Sequence, residues 1–188
     1  MHTFGPDNFA LRRAGWIAVL TAASIAGSIF FACATPFAAL AAVAALYMNR
    51  RDAFIVIIVA WVANQAVGYG FLHYPHTWDS LAWGIAIGTG AVVGTALAAE
   101  VGSALRRFGR ALTVLASFAT AFVGYEIVLY AATPVLPSDS SAFSLAVVLY
   151  ILKVDVVAFG GFLVLQYAGM WTGLALSRPL ADIAPTAA

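Results

Sequence analysis

Long apolar stretches, separated by short polar or charged segments, make up most of the chain from residue 14 onward. The first stretch, residues 14–48, would form a helix of about 52 Å, whereas the hydrocarbon core of a bilayer is about 30 Å thick. Two spans therefore fit it better than one. Pro36 marks the turn, because proline suits the first turn of a new helix and disfavours helix in the residue before it. The pattern predicts a first span over residues 14–32 and a short second span over 36–48.

Four further apolar stretches follow, and each predicts one more span. They are residues 53–72, 81–105, 111–132 and 142–176. The last is too long for one level span, which predicts a tilt, a kink near Gly160-Gly161 or emergence from the membrane. The sequence therefore predicts an all-α integral membrane protein with six transmembrane helices. Its transmembrane domain, 14–176, lies between an N-terminal segment, 1–13, and a C-terminal tail, 177–188.

The positions of the basic residues predict the orientation of these spans, since lysine and arginine concentrate in cytoplasmic loops. With six spans and a cytoplasmic N-terminus, eight of the nine basic residues fall on the cytoplasmic side, and the ninth, Lys153, lies within a span. The eight are Arg12, Arg13, Arg50, Arg51, Arg106, Arg107, Arg110 and Arg178. Both termini are therefore predicted to be cytoplasmic. The N-terminal segment is expected to be retained, because the apolar stretch after it is longer than that of a cleavable signal peptide.

Composition excludes several classes of protein. Hydrophobic residues make up 63% of the 188 residues and charged residues 9%, whereas soluble domains carry about 45–50% and 25%. A soluble domain is therefore excluded. A net charge of +1 without a basic cluster excludes a nucleic-acid binder, and no nucleic-acid partner is expected. The single cysteine, Cys33, excludes a disulfide scaffold and thiol oxidoreductases that need a cysteine pair.

The predicted topology gathers polar and aromatic residues at the outer ends of the spans, which suggests a ligand site open to the outside. Cys33 lies at the outer end of the first hairpin, where the short second span would leave a depression. The other candidate ligand-binding residues are Asn64, Gln65, Tyr69, His73, Tyr74, His76, Trp78, Asp79, Tyr125 and Tyr130. Each also has a simpler interpretation: aromatic residues of the membrane interface, a packing cysteine, solvated histidines, or amides that bond neighbouring helices. His73-x-x-His76 falls short of a four-ligand zinc site, so no protein-bound metal is predicted.

Three ionisable residues, Glu126, Lys153 and Asp155, are predicted within spans, where such residues are either functional or paired with one another. An ion pair between Lys153 and Glu126, joining the fifth and sixth spans, is compatible with their spacing.

Small residues also recur four positions apart, a spacing that lets helices approach closely. They are Ala18, Ala22 and Ala26 in the first span, and Gly84, Gly88, Gly90 and Gly94 in the fourth. Packing inside the bundle is the simplest interpretation of both sets.

Three segments resemble the BtuM family, the cobalamin-specific S components of ECF-type vitamin transporters. They are residues 33–40 (CATPFAAL), 61–70 (WVANQAVGYG) and 71–75 (FLHYP). Six spans with cytoplasmic termini and alanines four apart in the first span resemble S components in general. The segments cover roughly the first half of the chain, and the second half is similar in span pattern alone.

The resemblance implies an S-component-like bundle in the bacterial inner membrane that takes up cobalamin or cobinamide from the periplasmic side. It implies that the Cys33 thiolate binds the cobalt and that bound cyanocobalamin loses its cyanide there. Thiolate is a soft, strongly donating ligand, which suits this role. Either His73 or His76 would supply the opposite axial ligand.

The same resemblance implies that Ala18, Ala22 and Ala26 form the face toward the transmembrane coupling subunit of an energising module, although some family members work without one. No phosphate-binding GxxxxGK[ST] motif is present, so an ATP-driven step would need another chain. Two other interpretations stay open. One is an S component or permease for another vitamin or a metal ion. The other is an intramembrane enzyme that uses Cys33 with His73 or His76.

Overall fold

The computed structural model describes residues 6–30, 35–139 and 141–175, and this part of the chain contains six α-helices and no β-strand. The helices are α1 (Pro6–Phe30), α2 (Phe37–Tyr47), α3 (Arg50–Gly70), α4 (Trp78–Leu105), α5 (Arg110–Ala132) and α6 (Leu145–Trp171). A 3₁₀-helix, Arg106–Phe108, joins α4 to α5. The predicted all-α class is confirmed. Cys33, Arg178 and the predicted tail 177–188 lie outside the described residues.

Five of these helices, α1 and α3 to α6, are long and apolar enough to cross a membrane, which marks the protein as a membrane-embedded helical bundle. The other, α2, has 11 residues and is about 16 Å long, so it cannot span the hydrocarbon core alone. The prediction of six spans with both termini cytoplasmic therefore stays a prediction.

Capping residues explain why two helices begin where they do. The side chain of Asn49 accepts a hydrogen bond from the backbone amide of Asp52 at 2.9 Å, so α3 begins at Arg50, before the apolar stretch. Ser144 caps α6 in the same way, which starts this helix three residues into the stretch predicted for it. Helix α6 has 27 residues and continues through Gly160 and Gly161 without interruption.

Helix α2 forms the centre of the bundle. All of its residues except Ala45 are buried, and it contacts every other α-helix. A helix that is apolar on all sides is stable only when it is enclosed, and the six alanines of α2 allow its neighbours to approach closely. The core of the protein is therefore built around a helix of about half the membrane thickness.

Arginines gather at one end of the bundle, which we call the arginine end. Arg13 at the start of α1 forms an ion pair with Asp52 at the start of α3. Arg50 pairs with Glu100, near the end of α4, at 2.7 Å. The guanidinium of Arg110 at the start of α5 lies over the ring of Tyr167, near the end of α6. The opposite end, which we call the loop end, carries the connections between α1 and α2, α3 and α4, and α5 and α6.

The glycines of α4 are contact points inside the bundle, as their spacing predicted. Gly88 packs against the indole of Trp61 in α3, and Gly90 packs against Tyr125 in α5. Gly94 is closest to a backbone: a Cβ atom there would lie 2.8 Å from the carbonyl oxygen of Ala121 in α5. Glycine at these positions lets α4 contact both of its neighbours.

Candidate functional site

A carboxylate inside the bundle holds the start of α2. Asp155 of α6 is 1% exposed, and its Oδ1 accepts a hydrogen bond of 2.9 Å from the backbone amide of Ala39. The first amides of a helix have no partner within the helix, and Pro36, at the N-cap of α2, supplies no side-chain cap. Asp155 therefore caps α2 from α6, a helix far away in the sequence. The dipole of α2 favours a negative charge at this end of the helix.

This contact sets the depth at which α2 begins. Asp155 lies ten residues after Leu145, so it is about 15 Å along α6 from the loop end. Helix α2 runs from there to the arginine end, where the hydroxyl of Tyr47 lies 3.1 Å from that of Tyr167. Helix α2 therefore does not extend into about the last 15 Å toward the loop end.

Three polar side chains form a chain of contacts beside that connection. The hydroxyls of Ser28 in α1 and Thr35 are 3.2 Å apart, and the Thr35 hydroxyl donates to Oδ1 of Asn64 in α3 at 3.5 Å. Thr35 comes two residues after Cys33 in the sequence. The contacts tie the end of the α1–α2 connection to the helices on both sides of it.

Gln65 faces a different helix from its neighbour Asn64, as expected for adjacent helical positions about 100° apart. It packs against Gly84 of α4, where a Cβ atom would lie 3.0 Å from Gln65 Oε1. The indole nitrogen of Trp61 donates to the carbonyl oxygen of the same glycine at 2.8 Å. Asn64 therefore belongs to the α1–α2 connection, and Gln65 to the contact between α3 and α4.

An aromatic cluster closes the loop end between α3 and α4. The ring of Tyr69 contacts those of Tyr74 and His76, with centroids 5.9 and 5.4 Å away, and its hydroxyl lies 2.9 Å from that of Ser80. Tyr74 also covers Gly68, where a Cβ atom would lie 2.5 Å from the tyrosine ring. The α3–α4 connection thus folds back onto the end of α3.

The remaining predicted site residues are dispersed. His73, His76 and Trp78 are exposed, and Asp79 is half-buried. Tyr130 is exposed and contacts Phe143 edge to face. Tyr125 of α5 is buried, and its ring packs against Gly90 of α4. Among residues 6–30, 35–139 and 141–175, no three His, Cys, Asp or Glu side chains form a group that would hold a metal ion.

The third connection at the loop end has its own contacts. The indole nitrogen of Trp83 in α4 donates to the carbonyl oxygen of Pro137 at 2.9 Å. Asp139 accepts hydrogen bonds from the hydroxyl and the amide of Ser141, which hold the pKa of its carboxyl below the usual value. Trp61 and Trp83 are not among the predicted site residues, although a buried or interfacial indole nitrogen usually has an acceptor and is therefore a useful signal.

Lys153 and Glu126 do not form the ion pair that their spacing allowed. In the part of the chain that the structure describes, Glu126 Oε1 is buried without a hydrogen-bond partner, and Lys153 is exposed. Lys153 lies two residues from Asp155, about 200° around the helix. Because Asp155 faces the bundle interior, Lys153 faces outward.

Ala18, Ala22 and Ala26 are exposed along one side of α1, while Leu20 and Ser24 on its other side are buried. The bundle's own helices therefore leave this row of alanines uncovered. The expected contact with a coupling subunit stays a prediction.

The chain was compared with protein-family models, with curated proteins and with solved structures, and none of the three comparisons finds a match.

Proposed function

We propose that the protein is a transport protein that binds cobalamin or a related corrinoid at the loop end. The observation that carries the proposal is the half-length central helix, which begins about 15 Å below that end. A full-length helix in this position would occupy that distance, whereas α2 does not. We infer a recess at this place, beside the aromatic α3–α4 connection, and such a recess suits a large organic ligand better than a bare ion.

Polar groups beside the recess suit the amide side chains of a corrinoid. The hydroxyls of Ser28 and Thr35 and the amide of Asn64 offer donors and acceptors, and they already contact one another. In an apolar surrounding such groups keep hydrogen-bond partners, and a ligand amide is a suitable replacement for one of these contacts.

Cys33 is the cobalt ligand in this proposal, with its thiolate as the donor. Thr35, two residues later in the sequence, contacts both α1 and α3 through Ser28 and Asn64. His73 and His76 are the two candidates for the opposite axial position.

The proposal places the protein in the bacterial inner membrane, with the arginine end and both termini cytoplasmic and the loop end outside. The exposed row of Ala18, Ala22 and Ala26 supports docking of a coupling subunit from an energising module, since small residues allow close contact between helices. Without such a module the protein would act alone.

The absorption spectrum of the cobalt tests the role of Cys33. Purified wild-type protein mixed with cyanocobalamin is expected to bind it and to shift its spectrum as cyanide is replaced by the thiolate. Cys33→Ala and Cys33→Ser are expected to leave the cyanocobalamin spectrum unchanged and to bind the ligand more weakly. Because Cys33 is the only cysteine, reversible thiol blocking of the wild type provides a matched control: the shift should vanish on blocking and return on reduction.

Two outcomes contradict the proposal in different ways. A Cys33→Ala protein with the wild-type spectral shift would disprove the ligand role of Cys33 and leave the substrate class intact. Wild-type protein that binds no corrinoid would disprove the substrate class. In that case labelling by a thiol-directed probe would favour the cysteine-dependent enzyme, and growth rescue by another vitamin or a metal ion would favour the other permease.

A further inference from the structure

An apolar groove runs between α5 and α6 at the arginine end and opens to the outside of the bundle. Its volume is about 510 Å³, within the range of about 300–1,000 Å³ found for small-molecule sites. Aliphatic side chains, those of Val114, Leu115 and Leu163, line one part of it. Tyr47, Arg110 and Tyr167 line the rest. The groove therefore has a long apolar part and a compact polar part.

The polar part carries a positive charge without a protein counter-charge. The guanidinium of Arg110 lies 5.3 Å from the centroid of the Tyr167 ring, and the hydroxyls of Tyr167 and Tyr47 are 3.1 Å apart. Within the described ranges Arg110, like Arg51, Arg106 and Arg107, has no ion pair with an acidic residue, whereas Arg13 and Arg50 at the same end each have one. An anion is the missing partner that the charge of Arg110 favours.

Neighbouring aromatic residues indicate the depth of this charge in the membrane. Trp171 is 92% exposed and lies one helical turn after Tyr167, which is 42% exposed. Exposed tryptophan and tyrosine side chains at the end of a transmembrane helix lie at the level of the lipid headgroups. Arg110, in contact with Tyr167, is thus at the depth of the lipid phosphates, and the aliphatic part of the groove extends into the hydrocarbon.

We propose that this groove binds one anionic phospholipid. Arg110 binds the phosphate, the hydroxyls of Tyr47 and Tyr167 offer further hydrogen bonds, and an acyl chain lies along Val114, Leu115 and Leu163. Arginine forms strong charge-assisted hydrogen bonds to phosphate, and basic pockets between transmembrane helices bind anionic headgroups. The proposal depends on the membrane setting of the bundle and is independent of the corrinoid.

Two other grooves on the bundle surface lack this combination. A groove of about 520 Å³ between α1 and α6, which includes Gly27 and Phe162, has no charged side chain in its lining. Another groove between α5 and α6, toward the loop end, contains the carboxyl group of Glu126 and no basic side chain that would bind a phosphate. Neither groove is therefore expected to prefer an anionic lipid to a zwitterionic one.

Native mass spectrometry of the detergent-solubilised protein tests the proposal. The sample contains equal amounts of phosphatidylglycerol and phosphatidylcholine with the same acyl chains. The wild type is expected to retain one phosphatidylglycerol in preference to phosphatidylcholine. Arg110→Gln is expected to lower the phosphatidylglycerol affinity about 5-fold, as one basic residue near a membrane surface contributes about 1 kcal/mol. Arg110→Lys should keep most of the preference, and Arg51→Gln, an exposed arginine at the same end, should keep all of it.

A second variant leaves Arg110 in place and blocks the apolar part. Leu115 is 64% exposed, so Leu115→Trp is expected to fold normally and to lose the retained lipid. Equal retention of the two lipids by the wild type, or equal losses in Arg110→Gln and Arg51→Gln, would overturn the proposal. Displacement of phosphatidylglycerol by millimolar inorganic phosphate would also overturn it, because it would indicate a site for the anion alone. A dimer without bound lipid would overturn it too, because it would assign the groove to a second copy of the chain.

Discussion

Asp155→Leu is expected to lower the free energy of unfolding by about 1–3 kcal/mol, the cost of removing a helix cap and leaving a buried amide without a partner. Leucine has no hydrogen-bond acceptor, so the Ala39 amide would lose the 2.9 Å hydrogen bond that holds the start of α2. Because α2 contacts every other α-helix, the loss is expected to affect the whole bundle. Thermal unfolding in detergent, compared with the wild type, measures it.

Two control variants separate the hydrogen bond from other effects of changing α6. Asp155→Asn keeps a side-chain oxygen that accepts from Ala39, so it should lose less than half as much stability as Asp155→Leu. Lys153→Leu removes the exposed charge on the opposite side of the same helix and should cause no loss. If Asp155→Leu were as stable as the wild type, the proposed anchoring of α2 would be wrong.

Gly94→Leu is expected to prevent stable packing of α4 on α5. A Cβ atom at Gly94 would already lie 2.8 Å from the carbonyl oxygen of Ala121, and a backbone carbonyl moves only if the helix moves. Overpacking of this kind costs about 1–3 kcal/mol for small additions, so Gly94→Ala should be measurably destabilised and the leucine variant should yield little folded protein. Size-exclusion profiles and the thermal midpoint of each purified variant measure the effect.

Gly160→Ala is the matched control, because it changes another mid-helix glycine by the same methyl group. Nothing lies within 4 Å of a Cβ atom at Gly160. Alanine is favoured over glycine in a helix by about 0.5–1 kcal/mol, so this variant should be slightly more stable than the wild type. Equal effects of alanine at Gly94 and Gly160 would contradict the close contact between α4 and α5.

Helix positions could be predicted from the sequence because each depends on local signals. Apolar length gave five of the helices, and proline separated α2 from α1. Because Asn49 and Ser144 cap α3 and α6, these helices begin three residues away from the starts that the apolar pattern predicts. The collection of arginines at one end also followed from their positions in the connections between helices.

The contacts of the polar residues within spans could not be predicted, since they depend on pairs far apart in the chain. Asp155 and Ala39 are separated by 116 positions, and nothing in either local sequence links a carboxylate to a backbone amide. Tyr125 was grouped with the outer residues by its depth alone, yet the absence of a side chain at Gly90 gives its ring a place inside the bundle. The depth of a residue along a span can be predicted from the sequence, whereas the direction of its side chain around the helix is fixed by packing.

The enclosed position of α2 has a consequence for how the protein is made. A nascent chain emerges from its N-terminus, so α2 is synthesised before α3, α4, α5 and α6, the helices that cover most of it. Its anchoring carboxylate is added 116 residues after the amide that it binds. Until then the start of α2 has neither its final partner nor its final surroundings, and its 11 residues are too short to hold it across the bilayer. The centre of the mature protein is therefore among the last parts to reach its final place during biogenesis.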